Sequence, residues 1–374
     1  MKLNFVRLIG LGLLLVGLAG CGVTEPQGEV NAGETPANAA DSFDRRAMLS
    51  NIVEHSILPL HNQFVAETEA LQQAVHQFRA DPTTENLAQV QRQWQSTAAA
   101  WAQAEHLGFR FTMVIHNQIK KWPINANFIE KFITETTDPI DEPFIETIGS
   151  TSKGLTAIEY LIFDPKLADE EIVDRFTAEP RRMAYLVSLV ENLQRKSREL
   201  QLMWVAGGDN QAQAFIEADF SGNNAQGSIS MLANEMIEDI EHIANARLNY
   251  PRKGAYGEPQ PEAVESPYAQ YSALLIANNL QGLQQTFNAG LGGYLDFLQA
   301  GQSDARLSEA INRQFEQAII AVEAISPSLQ AAVVDDPAAV ERAYNEVKAL
   351  LVLFKVDMAN QMGITITFSD NDGD

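Results

Sequence analysis

The stretch NIVEHSILPLHNQFVAETEALQQAVHQFRADPTTENLAQVQRQWQSTAAAWAQAEH, residues 51–106, decides the fold class. Val53, Ile57, Leu60, Phe64, Leu71, Ala74 and Phe78 recur at three- and four-residue steps, which line one face of an α-helix. Pro59 falls inside this run, lacks a backbone donor and crowds the preceding turn, so a kink is expected there. Asp81-Pro82-Thr83-Thr84 then supplies a turn and an N-cap, and Leu87, Val90, Trp94, Thr97, Trp101 and Ala104 resume the same period. Two long helices joined by so short a turn pack antiparallel, each covering the apolar stripe of the other.

Working outward, the same spacing returns in Leu186, Val190, Leu193, Ser197, Leu200 and Trp204, and in Ile229, Leu232, Met236, Ile240 and Ile243. It returns again in Leu283 to Leu298, in Leu307 to Val322 and in Tyr344 to Met358. Only the short run Ile364-Thr-Ile-Thr-Phe368 alternates as a strand would, so the fold class is all-α. A long helix, a polar turn and a shorter helix occupy 47–107 and again 270–326, with Arg92-Gln93-Trp94 and Arg313-Gln314-Phe315 at matching places. This echo predicts two packed four-helix-bundle-like halves related by an internal repeat, 47–206 and 207–374. The Gly, Asn and Ser clusters at 207–210 and 221–227 mark the junction. Two stretches without a period, 108–153 and 250–268, are too long for idle turns and are the places to look for a site.

The N-terminus sets the compartment. Lys2 and Arg7 precede an apolar segment, Leu8 to Leu18, too short to span a bilayer, and small residues follow. Residues 1–20 therefore read as a signal peptide. Leu18-Ala19-Gly20-Cys21 resembles the bacterial lipobox, which implies a lipid on Cys21, and Gly22 at the next position implies sorting to the outer membrane. Cys21 is the only cysteine, so a lipidated chain has neither a disulfide nor a thiolate nucleophile. Residues 21–46 carry no apolar period and read as a tether, reaching roughly 25 Å over about 22 residues.

Composition excludes several classes. At 374 residues, 45% hydrophobic and 20% charged, the chain is globular rather than disordered or collagenous. With 26 basic against 49 acidic residues, net charge −23, it would repel a phosphate backbone, so nucleic acid is not an expected partner. No zinc-peptidase His-Glu-x-x-His, P-loop or serine elbow occurs. Asp239-Ile-Glu-His242, with Glu235 and Glu238 nearby, has a spacing that fits either a solvated acidic face or a carboxylate-bridged metal site. His106 closes the second helix, where a helix C-terminus favours a charged surface imidazole, and Phe109 and Phe111 follow it.

The most informative segment is Ser152-Lys-Gly-Leu-Thr-Ala-Ile-Glu-Tyr-Leu-Ile-Phe-Asp-Pro165. Glu159 stands among Ile158, Tyr160 and Leu161, where an unpaired carboxylate is costly, so it requires a partner: the Trp122 N–H, His106, a cation or a metal. Here the sequence resembles the imelysin-like family, whose signature is Gly-x-His-x-x-Glu. Gly154 and Glu159 match it, while Thr156 stands where the signature has His. The closest resemblance is to the branch of periplasmic lipoproteins that lacks this His. Trp94 through Trp101 to His106, Trp122-Pro123, Glu265 to Ser272 and the ending Phe368 to Asp374 agree.

The resemblance implies two four-helix bundles and an association with iron acquisition; some members are classed as metallopeptidases. It places Gly154, Thr156, Glu159, Trp122 and Ser272 in a ligand cleft. Glu159, His106 and Glu265 become the candidate ligands of a divalent or ferric ion. Threonine is a poor metal ligand and no general base near neutral pH, so the expectation is a binding or accessory lipoprotein of metal uptake. Its expected partners are the membrane and iron-uptake envelope proteins. The alternatives are a metallopeptidase in which His106 or His116 replaces the missing ligand, and a scaffold acting through its acidic face.

Overall fold

The computed structural model describes residues 43–217, 227–300 and 306–367. The lipobox with Cys21, most of the 221–227 cluster and the end of the chain from Phe368 lie outside them. The described residues form helices joined by loops, with no sheet, and Ile364–Thr367 pairs with no strand.

The first long helix runs over 45–80. Its i to i+4 ladder widens into a π-helical turn at Val53–Ile57, immediately before Leu58-Pro59. The kink expected at Pro59 is thus taken up as one extra residue in the preceding turn, and the helix continues. Thr83 caps the next helix, Thr84–Ala104, its Oγ1 accepting from the Asn86 N–H at 3.3 Å. These two helices pack with Gly154–Ile162 and Pro180–Trp204 around Phe64, Leu71, Phe78, Val90, Trp94, Trp101, Tyr185, Leu193 and Leu200.

A second core gathers Ser228–His242, Ser272–Thr286, Leu307–Glu323 and Pro337–Val352, three of which run on into π-helical turns. Phe287, Phe315 and Phe354 meet at its centre with ring centroids 5.6 to 6.3 Å apart. The two Arg-Gln-aromatic triplets do equivalent work. Trp94 and Phe315 are buried, and the Gln93 and Gln314 amides donate to Glu67 (2.6 Å) and Glu346 (2.7 Å) on neighbouring helices.

The cores do not divide at residue 206. Met48, Leu49, Ile52, Val53 and Ile57 pack into the second core, and the same helix enters the first from Phe64 onward. The helices Thr84–Ala104 and Ser272–Thr286 cross in backbone contact. A Cβ on Gly282 would lie 2.0 Å from the Gln103 carbonyl oxygen, so only glycine allows this approach. The stretch 108–153 is not irregular: it contains Met113–Ile119, Ala126–Thr134 and Glu142–Thr147. Asn125 and Asp141 cap the last two. Such short helices each bury only one or two apolar residues (Ile119; Ile129 and Ile133; Ile145), too few for a period to show. The stretch 250–268 is largely irregular, as expected, apart from one helical turn at Tyr250–Lys253 and another at Pro261–Ala263.

Candidate functional site

The segment leading into the Glu159 helix is held from several sides. Tyr185 OH donates to the Ser152 carbonyl at 2.6 Å, and buried Lys153 Nζ donates to the carbonyls of Ile145 and Glu146 at 3.1 and 3.0 Å. Gly154 has φ +74°, and a Cβ there would lie 2.2 Å from the Ile119 carbonyl oxygen and 2.6 Å from that of Gln118. Both the left-handed backbone and this close approach require glycine. Two residues on, Thr156 Oγ1 donates to the Lys121 carbonyl at 2.9 Å. Gly154 and Thr156 therefore fasten residues 118–122 along the start of the helix, while the Trp94 indole N–H donates to the Leu155 carbonyl at 2.9 Å.

Glu159 is 1% exposed. Its Oε1 accepts three hydrogen bonds, from Ser266 Oγ (3.0 Å), the Tyr268 N–H (3.0 Å) and the Ala269 N–H (2.9 Å). The expected partners Trp122 and His106 are not among them. Burial pushes Glu159 up to about 7, even against these three donors. The loop that supplies the donors is itself strained, because Ser266 and Gln270 take φ of +53° and +54°. Ser272 Oγ closes it by donating to the Glu265 carbonyl, so Ser272 shapes the loop that holds Glu159. Beside Glu159 lies a cavity of about 10 Å³ between Trp94, Trp101, Thr156 and Glu265, room for a single water at most.

Glu265 leads from this loop into a buried charged network. Its Oε1 lies 2.7 Å from Lys120 Nζ, and its Oε2 lies 2.8 Å from Arg247 Nε, a contact close in distance with the N–H not aimed along it. Lys120 Nζ also donates to both oxygens of Glu105 at 2.8 Å. Arg247 Nη1 donates to Asn279 Oδ1 (2.9 Å), and Asn279 Nδ2 donates to Asp239 Oδ2 (2.7 Å). Burial would raise Glu265, but Arg247 and Lys120 outweigh it and hold the carboxyl well below the usual range. Asp239, which has no ion pair among the described residues, is raised by burial and by the Glu105 charge. Arg247 sits on the π-helical turn Ile243–Asn249, a local widening that recurs at functional positions.

Around this network opens a cavity of about 210 Å³, lined by Glu105, Lys120, Lys121, Trp122, Arg247 and Glu265, with His242 among its walls. It lies where the cores meet: Ile119 beside Lys120 packs in the first, and Ala244, Leu248 and Val264 pack in the second.

The sequence-derived site residues are only partly brought together. Trp122 and Glu265 line this cavity, and Glu159, Thr156 and Glu265 the small one next to it. His106 is elsewhere: 2% exposed, its Nε2 2.6 Å from Thr286 Oγ1, which in turn is 2.6 Å from Ser56 Oγ. Burial, with help from nearby His61, holds it neutral at about 3. It is a core histidine rather than a charged surface one. His116 packs edge-on to Trp101 at 4.7 Å. The trio Glu159, His106 and Glu265 does not converge as a metal site, and among the described residues no three His, Cys, Asp or Glu side chains are placed to hold one ion. Glu235, Glu238, Asp239 and His242 share a neighbouring cavity of about 180 Å³ with Glu105 and His106. Glu105, Lys120, Arg247 and Asn279 went unread in the sequence, where the only sign was a basic residue inside the apolar run Ile243-Ala-Asn-Ala-Arg-Leu248.

Fold and site together define an all-α protein with two helical cores and a charged cleft at their junction. The family model described as Imelysin matches residues 57–354, and the chain belongs to the imelysin family. Iron-regulated protein A of Synechococcus elongatus is 21% identical over 282 residues, covering 72% of this chain and 71% of that protein. The crystal structure of an imelysin-like protein from Psychrobacter arcticum superimposes with a TM-score of 0.70 at 14% identity, over 87% of this chain and 97% of that one. That of a candidate iron-regulated protein A precursor from Parabacteroides distasonis gives 0.68 at 18% identity, with the same coverages. At these identities the structures speak for the fold.

Proposed function

We propose that this chain is a non-catalytic ligand-binding lipoprotein of iron acquisition, held to the periplasmic face of the outer membrane through Cys21, with its binding cleft at the junction of the two cores. The observation that carries the non-catalytic part is the state of the family signature. Thr156, in place of the imidazole, directs its hydroxyl proton to the Lys121 carbonyl, and one Glu159 oxygen is occupied by three donors. Both side chains fasten loops together, and a threonine hydroxyl committed to a backbone carbonyl offers neither a metal ligand nor a base. The iron link rests on family membership and on the name of the Synechococcus relative. The 210 Å³ cavity supports the binding role, because it joins an indole, fixed charges and an imidazole in one concave site.

The test is incubation of the purified protein, without residues 1–42, with casein and insulin chains, with and without chelator. No time-dependent cleavage is expected. Proteolysis that a chelator abolishes and Glu159→Gln removes would establish the peptidase instead.

A further inference from the structure

We infer that the 210 Å³ cavity receives a small oxyanion-bearing molecule, a carboxylate or phosphate, rather than a bare metal ion. The inference rests on the ligand-cleft reading above and specifies its ligand.

The charge on the walls runs against that of the chain. In a protein of net charge −23, three fixed cations, Lys120, Lys121 and Arg247, face two carboxylates, Glu105 and Glu265. Both carboxylates are already engaged: the Glu105 oxygens each take a bond from Lys120, and the Glu265 oxygens lie against Lys120 and Arg247. A bare cation entering here would have to displace a buried lysine or arginine to gain a carboxylate ligand, and His242 would be its one imidazole on the walls.

The cations are less fully matched. Arg247 is 5% exposed, and its Nη2 has no hydrogen-bond partner. A buried guanidinium donor without an acceptor is costly, and its flat fork suits a carboxylate or phosphate edge. Lys121 is exposed and has no ion-pair partner among the described residues. It stands next to Trp122, whose indole gives the cavity an apolar wall. The volume is enough for a phosphate or a compact di- or tricarboxylate.

Isothermal titration of the purified protein with citrate, inorganic phosphate, ferric citrate, and Fe²⁺ or Ca²⁺ as chlorides separates the cases. Tryptophan fluorescence serves as a second readout through Trp122. Citrate or phosphate is expected to bind, more weakly as NaCl rises from about 50 to about 300 mM. Comparing the two anions distinguishes carboxylate from phosphate, and ferric citrate against citrate shows whether a chelated metal contributes. Lys121→Glu, at an exposed position, should weaken anion binding at least tenfold with an unchanged melting temperature. Arg247→Lys should weaken it too, and Lys121→Glu alone decides the matter if that variant does not fold. Metal chlorides binding while no anion binds would overturn this inference and leave the iron-linked binding role standing. Binding of none of these probes would overturn both.

Discussion

Replacing Glu159 by Ala and by Gln tests the central claim that this carboxyl is a buried acceptor bridging two segments. Alanine strips the acceptor from Ser266 Oγ–H and from the Tyr268 and Ala269 N–H groups. An unsatisfied buried donor costs about 1 to 3 kcal/mol, and Ser266 is fully buried while the other two are half-buried, so a loss of about 3 kcal/mol is expected in mildly acid solution. Glutamine keeps the carbonyl oxygen for all three donors and removes the ionisation. The Glu159 pKa is raised from 4.5 to about 7, so the folded state holds its proton where the unfolded chain releases it. Stability therefore falls as pH rises from the unfolded value through the folded one, by about 3 kcal/mol in full. Between about pH 5.5 and about pH 8 the Gln variant should gain about 2 kcal/mol relative to the parent. Urea denaturation of parent, Ala and Gln proteins at both pH values measures each quantity. A flat difference between parent and Gln across that window, or an Ala variant as stable as the parent, would place Glu159 in contact with water rather than in a buried bridge.

Three further outcomes are expected. Gly154→Ala forces a side chain into φ +74° and against two carbonyl oxygens, so it should cost more than about 2 kcal/mol by urea denaturation; an effect of a few tenths would mean that the 118–122 segment is free to move. Melting temperature should pass through a maximum between about pH 4.5 and 6.5. Above it, Glu159 and Glu235, raised to about 7 and about 8, lose stability as they ionise. Below it, His61 and His106, lowered to about 4 and about 3, favour the unfolded chain, which takes up their protons first; a maximum above pH 8 would contradict these burials. Cys21→Ser should move the protein from the membrane to the soluble fraction, and a variant that still pellets after a salt wash would rule out the lipid anchor.

What the sequence made legible is what repeats locally. The three- and four-residue spacing located the long helices, because each buries a continuous stripe, and the apolar flanks of Glu159 announced its burial. Its partners were illegible, since two of them are backbone N–H groups that carry no residue signature. The Lys120, Glu105, Glu265 and Arg247 network joins positions over a hundred residues apart, and no period links them. His106 misled for a related reason. Its place at a helix end suggests solvent, yet the helix Ser272–Thr286 covers it and supplies Thr286 as its partner.

The helix over 45–80 has a consequence for how the molecule comes apart. It lends Met48, Leu49, Ile52 and Val53 to one core and Phe64, Leu71 and Phe78 to the other, so neither core is whole without a stretch of chain at the far N-terminal side. A fragment beginning at 207 would carry an open furrow where that helix belongs, and one ending at 206 would carry an apolar prong with nothing to enter. Loss of either core strips its half of the shared helix. The pair is therefore obliged to melt as one cooperative body.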